Sequence, residues 1–220
     1  MVSHHGDMTT SDTGTAPPLT DPRSILDRAL AMGASVVADV GPHQLHQPTP
    51  CSEMDVRQML GHLIGVLDRI AALGNGDDPF GVIETHAPDD GWSNTWAIAG
   101  GRATNAWRDD AVLERPMALP WIQGSGADVL TSYFSELTVH LWDLAVATGQ
   151  QPVWDDAVVT AALEARPILP AENRRALFEE ISATMGVSEV ATPFAEAVPV
   201  GADTPAIERL VAWNGRDPRR

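Results

Sequence analysis

The chain contains no lysine. Its 14 basic residues are all arginine and stand against 30 Asp and Glu, for a formal charge of −16. That balance excludes DNA, RNA and anionic membranes as partners held by a broad basic surface. A small anionic substrate stays possible wherever a bound cation reverses the local field. Cys51 is the single cysteine, so no internal disulfide forms and no oxidising compartment is required. With one tyrosine and four phenylalanines, a core must be mostly Ala, Leu, Val and Ile, which suits closely packed helices. No apolar run is long enough to span a membrane, and no signal-peptide pattern opens the chain. These absences predict a cytoplasmic protein. Residues 1–20, polar and rich in Thr, Gly and Pro, read as a disordered N-terminal arm.

What is present is helical periodicity. A length of 220 residues fits one main domain. Thr20 or Asp21 caps a first helix from Pro22, whose Ile25, Leu26, Ala29, Leu30 and Val36 share a face. Gly33 lies on that face and would permit a close helix contact. "HQLHQPTP" is a connector, because Pro48 and Pro50 deny regular hydrogen bonding. Ser52 and Asp55 resemble a capping box for a second helix. Its stripe runs through Met59, Leu63, Val66 and Ile70, with His62 at the edge. Residues 76–92 read as a loop, and a third helix carries Trp92, Trp96 and Trp107. "AVLERPMALPW" reads as extended and irregular. A long fourth helix covers about Ala127 to Thr148, followed by shorter ones near 155–169, 171–184 and 204–213. The lack of regularly alternating strands excludes Rossmann, barrel and sandwich architectures. The expectation is an all-α four-helix bundle over 21–188 with extra short helices, and a small C-terminal extension over 189–220 packed on it.

The chemistry concentrates in "YFSELTVHLWDLA". Glu136 and His140 are four apart, so both leave the helix on one face, and Asp143 follows three residues later. An imidazole nitrogen and a carboxylate oxygen are good ligands for zinc or a similar divalent ion. A third ligand must come from another helix. His4 and His5 lie in the arm, His43 and His46 in the connector, and His86 in a loop, leaving His62 within a confident helix. Three readings stay open on spacing alone: a metal-binding face, a buried hydrogen-bonded network, or the polar margin of an amphipathic helix. Asp143 is either a support for the free nitrogen of His140 or an edge residue. Cys51, read as adjoining a helix N-terminus, is a candidate thiolate against a packing role. The tryptophans, Trp96 and Trp142 among them, are candidates for a pocket wall against ordinary core contacts.

"PTPCSEMDVRQMLGHLIG", "SELTVHLWDLAVATGQ" and "RLVAWNGRDP" together resemble the DinB/YfiT-like superfamily. They match its actinobacterial branch related to the N-terminal part of mycothiol-dependent maleylpyruvate isomerase. The resemblance covers most of residues 22–218. It implies a four-helix bundle with a divalent metal, usually zinc, near one end, with nickel and iron as alternatives. It places the metal ligands at His62, Glu136 and His140. It implies a low-molecular-weight thiol, mycothiol, as cosubstrate; Trp96, Trp142 and Cys51 are the candidates to contact it, and Asp143 joins His62, Glu136 and His140 as a candidate catalytic residue that orients His140. Met54 departs from the pattern, since these proteins often carry Trp there. The longer isomerase also has an additional C-terminal domain for which this chain has little room. The expected activity is a metal-dependent, thiol-dependent transferase or isomerase on a small electrophilic metabolite. The alternatives are a hydrolase or lyase using water, or a bundle that binds metal without turnover. A homodimer is compatible with this reading.

Overall fold

The computed structural model describes residues 21–82, 85–186 and 194–219. The expected N-terminal arm, with His4 and His5, lies outside the described residues. So does the expected boundary near 188.

Four helices make the bundle: α1 (Pro22–Ala38), α2 (Val56–Asn75), α3 (Trp92–Ala106) and α5 (Gly126–Thr148). Each packs on two others, α1 on α3 and α5 and α2 on α3 and α5, so the ring order is α1–α3–α2–α5. Their apolar stripes meet in one core that includes Leu26, Val36, Leu63, Ile64, Leu67, Leu130, Phe134, Leu137 and Leu144. Each such leucine contributes about 2 kcal/mol of transfer free energy. Among the described residues no helix is long and apolar enough to cross a membrane.

Local chemistry sets the ends. α1 starts at Asp21, whose side chain accepts from the Arg23 amide, with proline in the first turn. α2 starts three residues later than the Ser52–Asp55 pair predicted, with Asp55 as its N-cap. Asp55 accepts from the Gln58 amide, and the Gln58 side chain accepts from the Asp55 amide. The connector decides this: Gln47 and Leu45 carbonyls accept from the amides of Val56 and Arg57, so two of the donors orphaned at a helix start are already satisfied there. Gly33 meets its expectation. A Cβ there would stand 2.2 Å from the Trp96 ring, which packs directly on the glycine backbone.

Between α3 and α5 the chain forms α4 (Asp110–Glu114) and a hairpin, β1 (Pro116–Leu119) with β2 (Ile122–Ser125). The strands are antiparallel, with Leu119 opposite Ile122, so the tip is Pro120–Trp121. The stretch read as extended and irregular therefore holds most of helix α4 and the extended strand β1. Both strands lean on α5, and Trp121 at the tip meets Tyr133 and Phe80 edge-on at 6.4 and 6.2 Å.

After α5 come α6 (Asp156–Ala165), α7 (Arg174–Met185) and α8 (Ala206–Trp213). α8 packs against α6 and α5. Gly215 ends it at φ +82, a conformation that suits glycine. A Cβ there would stand 2.6 Å from the Ala195 carbonyl oxygen. That turn sends Arg216 back into the protein.

Candidate metal centre

α2 and α5 lie side by side and bring three side chains together. One ligand atom each from His62, Glu136 and His140 falls within 4.8 Å of the other two. The His62 Nε2 stands 3.3 Å from a Glu136 oxygen, without hydrogen-bond alignment. The two imidazoles meet edge to face, with ring centroids 4.8 Å apart.

The back of the cluster is closed. His140 and Asp143 are fully buried. The His140 Nδ1 lies 3.0 Å from Asp143 Oδ2. Arg216 grips the same carboxylate with two donors, Nε to Oδ1 at 3.0 Å and Nη2 to Oδ2 at 2.7 Å. Phe194 stacks on the His140 ring at 5.2 Å and lies under the Arg216 guanidinium at 5.4 Å.

Charge follows from these contacts. Burial alone would raise the Asp143 carboxyl, but the hydrogen bonds from His140 and Arg216 outweigh it and hold it below the ordinary range. An ionised Asp143 only accepts, so the proton of neutral His140 sits on Nδ1 and the Nε2 lone pair faces the cluster. Burial pushes His140 below its usual value despite Asp143, which favours the neutral imidazole. Burial would also raise Glu136, but His62 beside it prevails and holds it low, as a carboxylate.

These donors fit a divalent ion. The buried Nε2 atoms of His62 and His140 have no hydrogen-bond partner among the described residues. In a tetrahedral site with bonds of about 2.1 Å, ligand atoms lie about 3.4 Å apart, a separation this cluster reaches with small side-chain movements. Two nitrogens and one oxygen, with a carboxylate behind one histidine, are a donor set suited to zinc and its neighbours.

A family profile described as "Mycothiol maleylpyruvate isomerase N-terminal domain" matches residues 26–145. The chain belongs to that family. The matched span contains His62, Glu136, His140 and Asp143, whereas Arg216 lies beyond it. Two relatives from Mycobacterium tuberculosis, both named as uncharacterized proteins, are 26% identical to it over 199 residues: MT0763 of strain CDC 1551 and Rv0738 of strain H37Rv. The alignments cover 90% of this chain and all of each relative. No solved structure matches the chain.

In this family member a cavity of about 320 Å³ opens in front of the cluster. His62 and Glu136 form part of its wall, with Tyr133, Phe178, Ile181 and Phe194. Trp121 reaches it from the hairpin tip. Trp96 and Trp142 do not line it. Trp96 is buried between α1 and α3 and donates its indole N–H to the Leu30 carbonyl. Trp142 faces a separate hollow with Pro48 and Val146. Cys51 is buried five residues before α2 begins, and burial pushes its thiol up rather than down, which keeps it protonated. It is a core residue in this conformation.

Residues that spacing did not reveal are Arg216, Phe194, Tyr133 and Arg69. Arg216 stands 73 positions from its carboxylate. Its only signal was the closing "WNGRDP" stretch, with Gly215 ahead of it.

Proposed function

We propose that the protein is a divalent-metal-dependent enzyme that uses a low-molecular-weight thiol, of the mycothiol kind, as a transferase or isomerase on a small electrophilic metabolite. The observation that carries this reading is the convergence of His62, Glu136 and the buried His140 beside a small-molecule-sized cavity whose wall includes His62 and Glu136. His62, Glu136 and His140 would hold the ion, with zinc the best match to two nitrogens and one oxygen. A divalent ion there supplies Lewis acidity, lowering the pKa of a thiol or of water at neutral pH.

The chain's own residues do the rest. Asp143 keeps the His140 proton on Nδ1 and fixes the ring. Arg216 keeps Asp143 ionised and immobile. Phe194 covers the back of His140 and excludes water from it. Phe178, Ile181 and Trp121 supply an apolar wall against which a small substrate can be desolvated. The membership of a thiol-enzyme family supports the choice of cosubstrate. A mycothiol-using enzyme works in the cytoplasm, so that is where this reading places it.

The test is metal analysis of the purified protein, followed by turnover of an electrophile panel with and without mycothiol. The reading expects about one divalent ion per chain and a saturable thiol requirement. Turnover that ignores the thiol would favour the hydrolytic alternative. Failure to take up any divalent ion would overturn both.

A further inference from the structure

We infer that the cavity in front of the cluster takes an amphipathic organic acid, its acidic group held by the Arg69 guanidinium and the Tyr133 hydroxyl, its apolar body against Phe178, Ile181 and Phe194. This deepens the proposed function and rests on it only for which end of the ligand would react.

The inference starts from charge. Acidic residues outnumber arginines 30 to 14, so a partner is easily found on this surface. Arg23, Arg57 and Arg102 each meet a carboxylate at 2.6 Å. Arg69 does not. It is half-buried, it lines the cavity, and among the described residues it makes no hydrogen bond or ion pair. Glu136 is close enough to feel its charge, yet pairs instead with His62. A half-buried guanidinium left without an anion is costly unless a ligand supplies one.

Placement agrees. Arg69 follows His62 by seven residues, two turns, on the same face of α2. Helical side chains lean toward the N-terminus, so the guanidinium reaches back toward His62. Tyr133 precedes Glu136 by one turn of α5 and feels the Arg69 charge, as antiparallel α2 and α5 require. Tyr133 is buried, and its hydroxyl makes no hydrogen bond among the described residues. Two unspent donors thus stand on one wall, beyond the His62–Glu136 level, and Arg166 lies at the same cavity. A forked guanidinium with a hydroxyl beside it matches the planar oxygens of a carboxylate. The rest of the lining is apolar, which asks for an unsaturated or aromatic body on the acid.

The experiment is calorimetric titration of protein equilibrated with zinc, its metal content measured, using trans-cinnamate and its neutral amide, trans-cinnamamide. Cinnamate should bind saturably and about tenfold or more tighter than the amide. Arg69→Gln should abolish that preference while leaving metal content and melting temperature unchanged. Arg69→Lys should keep part of it, and Tyr133→Phe should weaken the acid by about threefold. Equal binding of acid and amide, no saturable binding of the acid, or a preference that survives Arg69→Gln would each overturn the inference. The last would mean that the ion, not Arg69, holds the acid. Metal content and acid preference, read together on the wild-type protein, separate the two readings. Acid preference through Arg69 in a protein that takes up no ion leaves this inference standing and the metal reading fallen. Normal metal uptake without acid preference does the reverse.

Discussion

The two sides of the cluster are built on opposite plans. Behind it, the His140 Nδ1, the Asp143 carboxylate and the Arg216 guanidinium are hydrogen-bonded to one another in a buried chain, with Phe194 stacked on the His140 ring. In front, His62, Glu136, Arg69 and Tyr133 face a cavity, and the His62 Nε2, the Arg69 guanidinium and the Tyr133 hydroxyl make no hydrogen bond among the described residues. A protein that only needed a stable bundle would close both sides. The contrast separates the internally supported side of the cluster from the side open to the cavity.

Substitutions should separate these plans by stability. The largest loss is expected for Asp143→Ala, which strands the buried Arg216 guanidinium. It should cost about 3–5 kcal/mol in urea unfolding of metal-free protein, or a fall of roughly 10 °C in melting temperature. The same change should weaken divalent-ion binding by about 10–100-fold. If Asp143→Ala left stability unaltered, the back of the site would not be the scaffold described here. Next, His62→Ala should abolish high-affinity metal uptake yet change metal-free stability by less than about 1 kcal/mol, because its Nε2 makes no hydrogen bond. Equal destabilisation by these two variants would erase the distinction between back and front. Arg69→Gln should shift stability by no more than about 0.5 kcal/mol, since the fold makes no use of that guanidinium.

The smallest effect is a control remote from both sides. Asp155 caps α6 through the amides of Ala157 and Val158 and accepts from Arg28 of α1. Burial alone would raise its carboxyl, but Arg28 and the cap amides prevail and lower it. A lowered folded pKa means stability that is present above the unfolded value, about 3.9, and lost as pH falls through the lower folded value. Asp155→Asn, which keeps a capping oxygen, should therefore cost only about 0.3 kcal/mol at pH 7. Chemical unfolding of the two proteins should show that gap closing below about pH 4.

The front and back also differed in how readable they were. Glu136, His140 and Asp143 share one helix, where spacing alone puts them on adjoining turns. His62 was reachable because few other histidines sit in helices. Arg216 was not, because its partner is fixed by how α8 docks, which no local pattern encodes. The bundle itself was legible from periodicity. The hairpin was not, since Pro120 and two glycines mask any alternation in its short strands. The α2 start moved three residues, from Ser52 to Asp55 as N-cap, because connector carbonyls accept from the amides of Val56 and Arg57. Of the tryptophans read as a pocket wall, Trp121 lines the cavity whereas Trp96 and Trp142 do not. Burial decides whether an indole meets substrate or core, and Gly33 gives Trp96 its seat in the core.

The 73-residue separation between Asp143 and Arg216 also imposes an order in time. On a ribosome adding about 5–20 residues per second, the aspartate is synthesised roughly 4–15 s before the arginine. Throughout that interval the nascent helices already carry every proposed ligand, but the histidine's support is still unclamped. The clamp on Asp143 is therefore completed late in synthesis, after the residues it supports have been made.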